Sequence, residues 1–198
     1  MQIDIVVYDG LDEMDALGPL EVFRSAKAAG ADITVRLVTR VQSAEVTGAF
    51  GLRFLPDSTY EPGADVLVVP GGGWAARAKR GVWAEVQEGS WLPLLADAAH
   101  QVRVMAGVCT GTMLLAHAGV VGTRRASTHH TALAELADTG AHVVNERVVD
   151  EGTLVTSGGV TAGIDLAFWI VERFTDQEFA DGLARRMEYQ RVRPVGVI

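Results

Sequence analysis

One cysteine, Cys109, in 198 residues leaves no partner for an internal disulfide, so nothing in the chain calls for an oxidising compartment or a cross-linked miniature fold. No apolar run reaches the ~18 residues of a membrane span. The opening "MQIDIVVYDG" has Asp4 inside its apolar stretch and no basic segment ahead of it, so it reads as a first strand rather than a signal peptide. Basic charge is scarce as well: 17 Lys and Arg stand against 25 Asp and Glu, a formal net charge of -8. Such a chain repels phosphate backbones unless its cations cluster, and "RAKR" (77 to 80), "TRR" (123 to 125) and "RRMEYQRVR" (185 to 193) suit solvated helix ends and a tail. His100, His117 and His142 are scattered without metal-ligand spacing. The expectation is a cytoplasmic protein with neither nucleic acid nor membrane as partner and with no metal.

What is present is an alternation. The β-branched runs "IDIVVY" (3 to 8), "ITVRLVT" (33 to 39), "DVLVVP" (65 to 70) and "VRVMAGV" (102 to 108) predict strands, the last two almost wholly apolar, as in a parallel sheet covered on both faces. Between and after them, several segments predict helices. "PLEVFRSAKAAG" (19 to 30) has Pro19 in its first turn and Gly30 as a stop, and "SWLPLLADAAHQ" (90 to 101) begins at a capping Ser90. "HHTALAELADTG" (129 to 140), "TAGIDLAFWIVERF" (161 to 174) and "DQEFADGLARRMEYQ" (176 to 190) follow, with short strands around a turn at Asp150 to Gly152 in 142 to 158. The chain thus predicts one α/β domain over residues 1 to 198: a flavodoxin-like, doubly wound, mostly parallel sheet sandwiched by helices.

Ligands of such sheets bind beyond the carboxyl ends of the strands, so the strand-to-helix turns are where chemistry belongs. Three turns carry unusual residues: "DGLDEMDALGP" (9 to 19), "PGGG" (70 to 73) and "CTG" (109 to 111). Cys109 sits where a buried strand ends and a helix begins. Ala106, Gly107 and Gly111 leave room for a sharp turn that lifts its side chain, the mechanical logic of a nucleophile elbow, and a helix N-terminus favours the thiolate. Charge building on an attacked electrophile needs donors, which the unobstructed N–H groups of Gly71 to Gly73 and that of Thr110 offer. Asp15 reads either as an acid kept neutral by a closed crevice or as a cap ahead of "GPLEVF", while Asp9 and Asp12 beside Gly10 suit turn chemistry. Trp74, just after the glycines, belongs at a pocket rim, and Trp83, Trp91 and Trp169 in the core or on a dimer surface.

"PGGG", then "AGVCTGTMLLAHAGVVGTRRASTHH", then "TSGGVTAGIDLAF", with "MDALGPLEVF" near the start, resembles the ThiJ/PfpI superfamily of class I glutamine-amidotransferase-like proteins, and within it the isocyanide hydratase branch. The likeness runs in order from about residue 3 to 190. It implies Cys109 as nucleophile, Asp15 as acid/base partner, Thr110 in the same pocket and Gly72 at the oxyanion position, with Gly73, Trp74 and His129 lining the substrate. It also implies hydration of an organic isocyanide to an N-substituted formamide without metal or organic cofactor, on a homodimer acting on a small molecule. Thr110 stands where peptidase-like branches place a histidine, so protease chemistry is not implied. The "MDALGP" register puts Asp15, rather than Glu13, where glyoxalase-type relatives carry a glutamate, and His130 stands where hydratases tend to have tryptophan.

Three other readings stay open: a glyoxalase or deglycase on small ketoaldehydes, a redox sensor that oxidises Cys109 reversibly, and a ligand-sensing relative of AraC-type regulators. The last would continue into a helix-turn-helix domain that this chain lacks.

Overall fold

A computed structural model of the chain describes residues 1–194. In chain order its elements are β1 (Gln2–Val6), α1 (Glu13–Ala28), β2 (Thr34–Thr39), β3 (Val46–Thr47), β4 (Arg53–Phe54), β5 (Ser58–Thr59), β6 (Val66–Val69), α2 (Val82–Glu88), α3 (Trp91–Ala98), β7 (Val104–Val108), α4 (Gly111–His117), β8 (Arg125–Ala126), α5 (Leu133–Asp138), β9 (His142–Val143), β10 (Val148–Asp150), β11 (Leu154–Ser157), α6 (Ala162–Phe174) and α7 (Gln177–Arg186). A 3-10 turn at His130–Ala132 leads into α5. Among the described residues the main sheet has seven strands in the order β10-β11-β7-β6-β1-β2-β5. All its pairings are parallel except β10 with β11. Helices α1, α6 and α7 form one covering layer and α2, α3 and α4 the other, which is why β6, β7 and β11 are buried along their whole length. The doubly wound α/β fold predicted from the alternation is the one observed.

From β1 the chain adds β2 on one side and later crosses to β6 on the other, so the strand order reverses between β1 and β6. A crevice opens above that reversal, between the loops that leave β1, β6 and β7. Asp4, the charge inside the first strand, is fully buried, and the guanidinium of Arg36 on neighbouring β2 grips both its carboxylate oxygens at 3.0 and 2.7 Å.

Helix α1 starts earlier than the sequence suggests. Asp12 is its N-cap, accepting from the Met14 N–H at 3.1 Å, and Pro19 lies inside the helix instead of in its first turn. An interior proline lacks the N–H that would bond to the carbonyl of residue 15 and costs about 3 kcal/mol. Val22 and Phe23 are fully buried, and their burial returns about 3–6 kcal/mol. Small residues let the layer close: Gly18 faces Ile164 on α6, and a Cβ on Gly163 would come within 3.4 Å of the Pro19 ring. The two sequence blocks "ALGP" and "TAGID" are therefore halves of one helix contact. Ser90 precedes α3 but does not cap it; its hydroxyl donates to Glu88 at 2.8 Å instead.

Candidate active site

Strand β7 ends at Val108, and the next residue, Cys109, has φ +56°. A non-glycine residue in that left-handed region is strained and persists only where its surroundings fix it. They do: the Cys109 N–H donates to the Gly158 carbonyl at 3.1 Å, and its own carbonyl accepts from the Thr128 hydroxyl at 2.8 Å. The small residues around it are steric necessities. A Cβ on Gly111 would collide with the Val69 carbonyl at the end of β6, and one on Gly107 would sit 2.7 Å from the Thr112 hydroxyl. Only with glycine at both places can α4 start directly above β6 and β7.

Asp15 comes from the first turn of α1 and is completely buried. Its Oδ2 accepts from the Gly71 N–H at 3.0 Å, while Oδ1 is buried without a partner among the described residues. Burial first, then the charge of Asp12, raises this carboxyl from 3.8 to about 8, so it is chiefly neutral at pH 7. Cys109 is its side-chain neighbour. Burial and then the nearby Asp15 charge push the thiol well above its ordinary value, against the opposing pull of the Val160 and Thr110 N–H groups. The helix start that the sequence reading expects to favour the thiolate is thus opposed by burial of the sulfur. Two groups that each resist ionisation, side by side, titrate as a coupled pair, giving up their protons in two separate steps.

The cleft above Cys109 has a volume of about 230 Å³ and is lined by Asp12, Gly72, Gly73, Trp74, Ala75, Ala76, Cys109, Thr110, His129, Thr131 and Val160. Every site residue singled out from the sequence lines it except Asp15, which sits beneath its floor against Cys109. Their duties differ from those anticipated in three places. The Gly72 N–H already donates to the Thr110 hydroxyl at 2.9 Å and the Gly71 N–H to Asp15, so these two N–H groups position the acid and the threonine instead of standing free. Trp74 is not at the rim: it is 2% exposed and forms a wall, with its ring centroid 5.3 Å from Trp83 and 5.4 Å from His117. Its indole N–H finds no acceptor among the described residues. Capping of α1 falls to Asp12, which frees Asp15 from that role.

His129 closes the opposite wall. Its Nδ1 accepts from the Thr131 N–H at 3.3 Å and lies 2.8 Å from the Thr131 hydroxyl, so the neutral ring carries its proton on Nε2. Partial burial, with the His130 ring tilted against it at 4.2 Å, holds the imidazole below its usual value. The ring presses on Gly159, where a side chain would overlap it. Glu13 does not reach the cleft; its carboxylate accepts from the Phe50 and Leu52 N–H groups at 2.8 and 3.2 Å and ties down the β3–β4 hairpin.

Sequence reasoning missed Val160. This β-branched residue has φ +49°, and its N–H favours the charged forms of both Cys109 and Asp15. Valine carries no signature for a left-handed turn, so only its place after "SGG" hinted at it. Ala75, Ala76 and Thr131, exposed at the mouth, were equally silent.

A strained cysteine elbow beside a buried carboxyl, at the strand-order reversal of a parallel sheet, defines an α/β protein with a candidate site at its one thiol. The chain belongs to the DJ-1/PfpI family, which matches residues 1–173. It is 33% identical over 196 residues to the isonitrile hydratase of Pseudomonas putida, covering 98% of this chain and 81% of that protein. A ThiJ/PfpI family protein from Pseudomonas syringae shares the structure with a TM-score of 0.84 at 28% identity, over 98% of this chain and 77% of the other. Drosophila melanogaster DJ-1beta shares the fold, with a TM-score of 0.82 at 21% identity over 96% and 98% of the two chains.

Proposed function

We propose that the protein is a cysteine-dependent hydratase that converts an organic isocyanide and water to an N-substituted formamide. The observation that carries this reading is the pairing of the one thiol in the chain with a fully buried Asp15 whose carboxyl stays protonated up to about pH 8. The pair reacts after giving up one proton: the Asp15 carboxylate takes the proton of the Cys109 thiol, and the N–H groups of Val160 and Thr110 support the charge left on sulfur. The thiolate then attacks the terminal isocyanide carbon, forming a C–S bond, while Asp15 delivers its proton to that carbon. The product is a thioimidate, Cys–S–CH=N–R, and an Asp15 carboxylate. Water adds across the C=N bond, its oxygen to carbon and one proton to nitrogen. Collapse breaks the C–S bond, releases R–NH–CHO and the thiolate, and returns the second water proton to Asp15.

The 33% identity to an isonitrile hydratase over nearly the whole chain supports the substrate class. Glyoxalase-type chemistry has less support, since Glu13 is engaged by two backbone N–H groups. A homodimer accords with the apolar group exposed on and beside the hairpin: Phe50 at 85%, Leu55 at 72%, Leu52 at 46% and Met14 at 44%. A cytoplasmic setting accords with the free thiol. The test is formamide production from cyclohexyl isocyanide by the wild type and by Cys109→Ala, with methylglyoxal run in parallel. Formamide from the wild type alone is the expected result. Turnover of methylglyoxal only, or of neither compound, overturns the assignment.

A further inference from the structure

The mouth of the Cys109 cleft has two exposed banks. Ala75 and Ala76 form one, in the loop that follows β6, and Thr131 forms the other, in the turn that leads into α5. Immediately beyond each bank a charged residue reaches across. Arg77 follows Ala76, Glu135 lies four residues after Thr131, and Arg77 Nη2 donates to Glu135 Oε2 at 2.6 Å. This is the ion pair that joins the two banks, and the arginine end of it is unusually well held. The guanidinium lies 4.1 Å from the Trp83 ring centroid and 5.2 Å from that of Trp74, the buried wall of the same cleft. The backbone of Arg77 is left-handed, φ +47°, and its N–H closes a turn onto the Trp74 carbonyl at 3.0 Å. Arginine at a strained position, stacked on two indoles and aimed across a cleft, is placed for what its planar fork does and a lysine cannot.

We propose that the Arg77–Glu135 pair is a specificity-determining tie: it fixes the separation of the two banks and limits the substituent that can accompany an electrophile to Cys109. Small substituents pass beneath it. Bulky ones require the tie to open, and the exposure of both side chains, 43% and 36%, makes it breakable by salt. This inference rests on Cys109 being the reactive atom of the cleft, but not on isocyanide being the substrate.

Because Cys109 is the one cysteine in the chain, its alkylation can be followed without background. N-methylmaleimide and N-cyclohexylmaleimide carry the same electrophile with different bulk. The second-order rate of each with the native protein is divided by its rate with free cysteine, and the ratio of cyclohexyl to methyl is compared across variants. In Glu135→Gln and Arg77→Met the ratio rises about three- to fivefold over wild type, with the methyl rate unchanged, as removal of an exposed ion pair allows. Arg77→Lys gives an intermediate ratio, and 1 M NaCl raises the wild-type ratio while leaving that of Glu135→Gln unmoved. Ratios that are equal in all the proteins overturn the tie and leave the Cys109 reading standing. A wild-type Cys109 that neither maleimide reaches overturns the reading of the site, and the tie with it.

Discussion

Replacing Asp15 by asparagine separates what the carboxyl does for the chemistry from what it costs the fold. A group held at about 8 in the folded chain and 3.8 when free binds an extra proton in the native state throughout the interval between them. Stability from that source is fully present below pH 4 and is lost as pH rises through 8, the loss amounting to about 6 kcal/mol above pH 8 and about 4 kcal/mol at pH 7. The asparagine side chain would never ionise, and its carbonyl oxygen can still accept from the Gly71 N–H, the bond Asp15 makes at 3.0 Å. Its amide must be buried in the same apolar place, which takes back about 1–3 kcal/mol. The net gain at pH 7 is about 2 kcal/mol, or a rise in Tm of about 4–8 °C for a domain of this size. Turnover moves the other way and falls at least ~100-fold, because the proton donor is gone. Calorimetry at pH 5, 7 and 8, together with steady-state rates, tests both halves. The wild-type and Asp15→Asn Tm values should converge towards pH 5 and diverge towards pH 8. Parallel Tm curves would show that the buried carboxyl carries no ionisation penalty and would refute the proton assignment.

Cys109→Ser should abolish formamide production while circular dichroism and Tm stay close to wild type; retention of the rate would remove the sulfur from the mechanism. The log of kcat/KM should rise with unit slope as pH approaches about 8, where the Asp15–Cys109 pair gives up its first proton, and a profile flat from about pH 5 to 9 would contradict that. Gly71→Ala puts a methyl group 2.5 Å from the Thr110 nitrogen and 2.9 Å from Asp15 Oδ2; it should lower both turnover and Tm, and wild-type kinetics would show that the glycine turn does not position the acid. Asp12→Ala removes the α1 cap and should cost about 1 kcal/mol of stability, read by urea denaturation, with a far smaller effect on turnover than Asp15→Asn.

The strands that build the crevice were legible because burial on both faces leaves an unmistakable run of apolar residues: β6 and β7 lie within 65 to 70 and 102 to 108. The elbow was legible because its small residues have no other use. Helix α1 was misjudged at its start because Gly18 and Pro19 read locally as a boundary, and only contact with Gly163 and Ile164, far along the chain, makes them tolerable. Strands β3 to β5, two residues each, carry no periodicity to detect. The two roles open to Asp15 could not be separated from spacing, since capping by Asp12 is a matter of dihedral angles. The occupied N–H groups of Gly71 and Gly72 were hidden for a related reason: a glycine run announces room for an approach and does not say that Asp15 and Thr110 are what approaches.

The seating of Gly18 and Pro19 against Gly163 and Ile164 has a mechanical result. Asp15 is borne by α1, and Val160 stands just ahead of α6, so the proton donor and the left-handed N–H belong to one block and travel together whenever that layer shifts. Cys109 comes from another part of the fold, the junction of β7 and α4, yet its N–H is tied to Gly158 in the loop that leads to Val160. A displacement along the α1–α6 seam would therefore reach the thiol by two routes, through the acid and through that loop.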